Sequence, residues 1–296
     1  MTVVIRLLLS ASLILAASPA AAAGVQCPTD AARATVRKCL QRSAPALDTA
    51  YSQIASSAAA RWTAPRVVTF RLKPPKNPCH DLSDGGVFSS FYCPDNSTVY
   101  MMLGIADEST RRYARQAGTK ILRQDAKRVG VSVARLRKGY PAASQVNVLA
   151  HEMAHQILQE NGIDSWYKTR ADRYEVGASK YDRYGFAPET MADCLSGAVV
   201  RRAKANGSLR MNAFDQWAAQ ADYTGADPYD DARPTRSPFG YPNPWGKRVY
   251  RGYGGPYIRV RAWRAGWEAA AASGNPLRYC VDLAASWKKV PTPPFI

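Results

Sequence analysis

Only three histidines occur in this chain, at positions 80, 151 and 155. Any metal site built on two of them must be completed by another residue type unless His80 reaches it. No Cys-x-x-Cys pair occurs among the six cysteines, which argues against a structural zinc cluster. Acidic side chains are also few: 23 Asp and Glu stand against 40 Lys and Arg, giving a net charge of +17 and a pI near 9.8. Such a surface attracts anionic envelope polymers such as glycans or lipid phosphates. No nucleic-acid motif accompanies the charge, so specific nucleic-acid binding is not expected. After residue 23 there is no second long apolar run, which leaves the mature chain without a transmembrane segment. Internal repeats are absent as well.

Residues 1–23 form a separate object. Arg6 is its lone charge, LLLSASLILAA is a short apolar stretch, and Ala21-Ala22-Ala23 supplies the small residues a signal peptidase cleaves after. The expectation is a signal peptide removed just before Gly24, a single domain over residues 24–296, and export to the periplasm or the medium. An even number of cysteines in an exported chain reads as disulfides. Proximity in sequence pairs Cys27 with Cys39 and Cys79 with Cys93, leaving Cys194 for Cys280.

Periodicity and punctuation predict helix from Thr29 to Arg61, interrupted near Pro45, and a strand in RVVTFRLK at 66–73. FSSFYC and TVYMML read as paired strands joined by the turn PDNS, and the edge of TVYMML is a candidate for pairing with an extended peptide. A helix follows over 104–129. Another opens at Pro141 and closes at Asn161-Gly162, and a Tyr-rich connection leads to a further helix from Pro188 to Ala205. Residues 222–256 are an irregular Pro/Gly/Tyr-rich insertion, and VRAWRAGWEAAAASG is helical, ending near Cys280. The fold class is α+β, mainly helical, with a small antiparallel sheet near the 141–160 helix.

That helix carries VLAHEMAHQIL at 148–158, a His-Glu-x-x-His motif formed by His151, Glu152 and His155. In a chain with three histidines the pattern is rare by accident. Val146, Leu149, Met153 and Ile157 form one apolar stripe, while the two histidines fall about 40° apart on the other side. Both imidazoles can therefore address one ion. The extended motif ending in a third histidine fails, because Leu158 and Asn161 occupy its Gly and His places. His80, in a loop beside Cys79, reads as solvated, so a carboxylate must complete the set. Glu160 points away from the histidines, and Glu175 has no pattern to recommend it. Asp182, in SKYDRYG, is the runner-up to Glu189, which begins PETMADCLSG. Glu189 and Asp193 share a helix face, so Glu189 can bind the ion while Asp193 accepts the second N–H of a ligating histidine.

HEMAH followed by ETMAD resembles the HExxH…ExxAD arrangement of Glu-liganded zinc peptidases, and more closely the bacterial neutral zinc metallopeptidase family. FYCPDNSTVYMML, ADCLSG and RVRAWRAGW with Cys280 are similar to further blocks of that family, in the same order, over patches of residues 60–282. The resemblance implies a zincin-like fold with zinc held by His151, His155 and Glu189. It implies peptide-bond hydrolysis by Glu152-assisted attack of zinc-bound water on a peptide or protein substrate, and it supports the Cys79–Cys93 and Cys194–Cys280 pairings. The chain departs from the family at Ala154 and Gln156, and again where a His-Gly segment aligns with Tyr253-Gly254-Gly255. Tyr253 is therefore the candidate hydrogen-bond donor, with Tyr181 and Tyr184 behind it. Two other readings stay open: a zinc-bearing but inactive binding protein of the envelope, and an amidase acting on envelope glycopeptide.

Overall fold

From Thr190 to Val200 every residue is buried, a run that only a helix enclosed on all sides can sustain. The computed structural model describes residues 24–27, 33–71, 79, 90–103, 119–138, 141–174, 183–212, 215–216, 218, 255–272 and 274–296. Its elements are β1 (Val25–Gln26), α1 (Arg33–Ser57), β2 (Arg66–Phe70), β3 (Phe91–Cys93), β4 (Thr98–Met102), α2 (Thr119–Val129), α3 (Val133–Arg137), α4 (Pro141–Glu160), α5 (Ile163–Ala171), α6 (Ala187–Ala205), β5 (Leu209–Arg210), α7 (Gly255–Ala272) and α8 (Pro276–Lys288). The enclosed helix is α6, and α1, α4, α5, α7 and α8 all pack on it.

Small residues make this enclosure possible. Ala192, Ser196, Gly197 and Ala198 keep the surface of α6 low. Gly197 lies against the Trp263 carbonyl and Gly266 of α7 against the Cys194 carbonyl, so a Cβ at either position would collide with backbone. Two glycines, one on each helix, thus allow α6 and α7 to approach backbone to backbone. The indole of Trp263, fully buried, donates to Asn147 Oδ1 at 2.5 Å and ties α7 to α4 as well.

The punctuation of α4 and α6 follows the sequence. Pro141 opens α4, and Gly162, at φ 70°, closes it while serving as the N-cap of α5. Pro188 sits in the first turn of α6, and Gly207 at φ 78° follows its last residues. Val146, Leu149, Met153 and Ile157 are buried in the main core, as their spacing predicts.

Four expectations are corrected. Helix α1 runs through Pro45 without a break. Pro45 and Gln41 are both on the exposed side, so the carbonyl that loses its partner faces water, while Leu47, Ala50, Tyr51 and Ile54 hold the helix to the core. The sheet is mixed rather than antiparallel. Its order is β2-β4-β3, with β3 antiparallel to β4 through the Pro94–Asn96 turn, and β2 parallel to β4, Arg66 opposite Thr98. TVYMML is thus the central strand, with β2 along one edge and β3 against Thr98–Tyr100 on the other, so it is not the open edge that pairing with a peptide needs. Helix α5 occupies a stretch read from sequence as connection, and where the last helix was expected to end near Cys280, α7 stops at Ala272 and a separate helix, α8, runs through Cys280 to Lys288.

The three cysteine pairs Cys27–Cys39, Cys79–Cys93 and Cys194–Cys280 lie at disulfide distance, with Cα separations of 5.5, 5.6 and 5.6 Å. No described helix is long and apolar enough to cross a membrane. The expected leader at 1–23, residues 222–254 of the expected insertion, His80, Glu175, Tyr181, Asp182 and Tyr253 lie outside the described residues.

Candidate metal centre

Helices α4 and α6 lie side by side, and where they meet the structure brings His151, His155, Glu189 and Asp193 together. The Nε2 atom of His151 is 3.3 Å from Glu189 Oε2, and that of His155 is 3.5 Å from Glu189 Oε1. One ligand atom from each of the three residues lies within 4.8 Å of the others. The two imidazole rings stand edge to face, 5.1 Å apart at their centroids. Glu160, by contrast, turns away and accepts the backbone N–H of Thr63 at 2.9 Å.

Behind the imidazoles lie further carboxylates. Asp193, fully buried one turn after Glu189, places Oδ1 2.9 Å from His151 Nδ1. Its two oxygens also receive Arg259 from α7 in a bidentate pair, Nε to Oδ2 and Nη2 to Oδ1, each at 2.9 Å. On the far side of the pair, Asp164 of α5 sets Oδ2 3.6 Å from His155 Nδ1. Asp193 Oδ1, 2.9 Å from His151 Nδ1, favours a proton on that nitrogen, and a neutral ring so protonated leaves its Nε2 lone pair to face Glu189.

The electrostatics of the cluster follow from this convergence. Burial opposes a charge on His151, yet Asp193, Glu189 and Glu152 raise its pKa to about 10. Burial likewise opposes protonation of His155, and Glu189 with Asp164 outweighs it. Burial would raise Glu189, but His155, His151 and Arg259 hold it far below the ordinary carboxylate range. Asp193 is lowered in the same way, with Arg259 and His151 overcoming burial. Glu152 moves in the opposite direction: burial raises it, and the neighbouring histidines only partly offset that rise.

This donor set fits a divalent metal. Two neutral imidazole nitrogens aimed at a carboxylate present lone pairs to one another, an arrangement that is repulsive until positive charge sits among them. Protons satisfy it, which is what raises the histidine pKa values; a divalent ion would satisfy it with two nitrogen ligands and one oxygen ligand, a set that catalytic zinc sites use. Each ligating ring would keep a carboxylate behind its second nitrogen, as zinc-bound histidines usually do.

Two participants escaped the sequence reading. Arg259 sits in the RVRAWR block, but nothing in a chain with 40 Lys and Arg marks which cation pairs with a buried aspartate. Asp164 is brought to His155 by the left-handed turn at Gly162, which folds α5 back beside the end of α4. The signal was the Asn-Gly pair, which also reads as the start of a loop. Of the tyrosines considered as donors, Tyr184 is within the described residues, where it stacks on Tyr174 at 6.1 Å and leans against Tyr167.

Compared with protein-family models, with curated proteins and with solved structures, the chain finds no match in any of the three.

Proposed function

We propose that this chain is an exported zinc metallopeptidase of the kind its motifs resemble, with a zincin-like arrangement in which His151, His155 and Glu189 hold the metal. The observation that carries the reading is the convergence of both Nε2 atoms on the Glu189 carboxylate, at 3.3 and 3.5 Å. Zinc in such a set supplies Lewis acidity, polarising a carbonyl and making water acidic enough to lose a proton near neutrality.

The protein's own residues do the rest. Glu189, held ionised by its imidazole neighbours, is suited to remain a ligand. Glu152, whose pKa burial raises, is suited to carry a proton: it takes one from the attacking water as the C–O bond forms and delivers it to the amine as the C–N bond breaks. Asp193 orients His151, and Arg259 keeps Asp193 ionised and in place. Tyr253 is the proposed donor to the oxygen that gains charge. Export is supported by the leader-like N-terminus and by the three cysteine pairs at disulfide distance. The basic surface suits anionic envelope polymers as neighbours.

Metal analysis beside peptide-cleavage assays tests this. The wild type should hold about one zinc per chain. Glu189→Ala should lose it and Asp182→Ala should keep it. Glu152→Ala should keep the metal and lose cleavage by about 10²-fold or more. Loss of zinc in Asp182→Ala but not in Glu189→Ala overturns the ligand set. Metal without turnover across a broad peptide library would mark a binding protein, and release of soluble wall peptides would mark the amidase.

A further inference from the structure

One contact at the metal centre is not used by this mechanism. His155 Nδ1 faces Asp164 Oδ2 at 3.6 Å, and Asp164 comes neither from the motif helix nor from α6 but from α5. The bland reason for an aspartate here is its place in the first turn of a helix, where the macrodipole favours an anion. That reason does not account for where the carboxylate points. An aspartate serving only a helix end keeps its oxygens in water. In Asp164, Oδ1 is buried with no hydrogen-bond partner among the described residues, and Oδ2 is turned to the imidazole. Gly162 makes this possible: its positive φ lets α5 start one residue after the turn, so the second residue of the new helix returns to the histidine one and a half turns before the end of α4.

We propose that Asp164 is a second positioning residue of the metal centre, fixing the ring plane and the Nδ1–H tautomer of His155 as Asp193 does for His151. The proposal rests on the zinc reading above and deepens it. Each imidazole is then backed by its own carboxylate, on a different helix. At 3.6 Å the carboxylate oxygen stands slightly beyond direct hydrogen-bond reach of the neutral ring's Nδ1–H, which makes the carboxylate's charge the larger part of its effect.

The test uses the full chain as wild type, Asp164→Ala, Asp164→Asn and Asp164→Glu, with Asp193→Asn for comparison. Zinc affinity is measured by competition with a chromophoric chelator, and cobalt(II) is loaded to read its ligand-field bands. Circular dichroism melting of the chelated proteins reports the fold separately. Asp164→Ala should bind zinc about 10- to 100-fold more weakly, with shifted cobalt bands and unchanged secondary structure. Asp164→Glu should recover part of the loss, and Asp164→Asn, which keeps an acceptor without the charge, should stay close to alanine. Wild-type affinity and wild-type cobalt bands in Asp164→Ala overturn the proposal and leave Asp164 a helix-end residue. If the alanine variant does not fold, the asparagine variant decides in its place, by the same two readouts. A wild type that takes up neither zinc nor cobalt fails the metal reading itself, which is a distinct result from uptake that ignores residue 164.

Discussion

Glu152 and Glu189 are both buried glutamates in one cluster, and their environments push their pKa values apart. Such a split separates a proton carrier from a permanent anion, and it sets how the metal-free protein responds to pH. Glu189 and Asp193 have depressed values, so the stability they contribute is present above their ordinary values of 4.5 and 3.8 and is lost as pH falls below them. His151 is raised to about 10 from an ordinary 6.5, so its contribution is complete below 6.5 and drains away as pH climbs toward 10. The chelated protein should therefore show its highest urea midpoint between about pH 4.5 and 6.5. Zinc-loaded protein should instead gain stability above pH 6.5, because metal and protons compete for the same nitrogens. Parallel pH profiles with and without zinc would refute this. Arg259 belongs at this scale too. Arg259→Leu leaves Asp193 buried without its bidentate partner and should cost about 3–5 kcal/mol in urea unfolding. A change under about 1 kcal/mol would mean the pair is incidental. The residues of the candidate metal centre on α4 and α6 were legible because His-Glu-x-x-His and Glu-x-x-x-Asp are local spacings on single helices. Arg259 and Asp164 were not, since each reaches the centre through packing between helices.

Among elements, α6 and α7 depend on two glycines that face each other's backbone. The sequence offered Gly197 and Gly266 only as letters in two motif blocks, and the contact between the helices gives both a reason. Gly266→Ala should force α7 away from Cys194 and cost at least about 1–3 kcal/mol, with weaker zinc binding because Arg259 rides on the same helix. Gly274→Ala, where nothing lies within 4 Å, is the control and should be neutral or stabilising by about 0.4–1 kcal/mol. Equal thermal midpoints for the two variants would contradict the packing account. Helices α4 and α6 could be bounded from sequence because proline opens them and an Asn-Gly pair follows them. Helix α5 could not, as its N-cap is a glycine in the left-handed region and no apolar stripe announces nine residues of IDSWYKTRA. Helix α8 was readable in principle. Asn275 caps it, Pro276 starts it, and Leu277, Cys280, Val281, Ala284 and Ala285 repeat at helical spacing on its buried face.

Across the whole molecule, the cysteine pairs divide by the span they close. Cys27–Cys39 and Cys79–Cys93 bridge 12 and 14 residues, whereas Cys194–Cys280 bridges 86 and joins α6 to α8. By loop-closure entropy the long link should contribute about 4.5 kcal/mol and each short one about 3. Replacing Cys194 and Cys280 by alanine should therefore lower the denaturation midpoint more than replacing Cys27 and Cys39, and it should also loosen zinc, because Cys194 adjoins Asp193. The reverse order would sink that ranking. The bidentate pair between Arg259 and Asp193 has a consequence in time. Asp193 and Arg259 are 66 residues apart in sequence. As the chain is synthesised, both imidazoles and Glu189 emerge well before the guanidinium that neutralises Asp193, so Asp193 cannot be buried as a paired anion until α7 has been made. The cluster is therefore among the last parts of the fold to close.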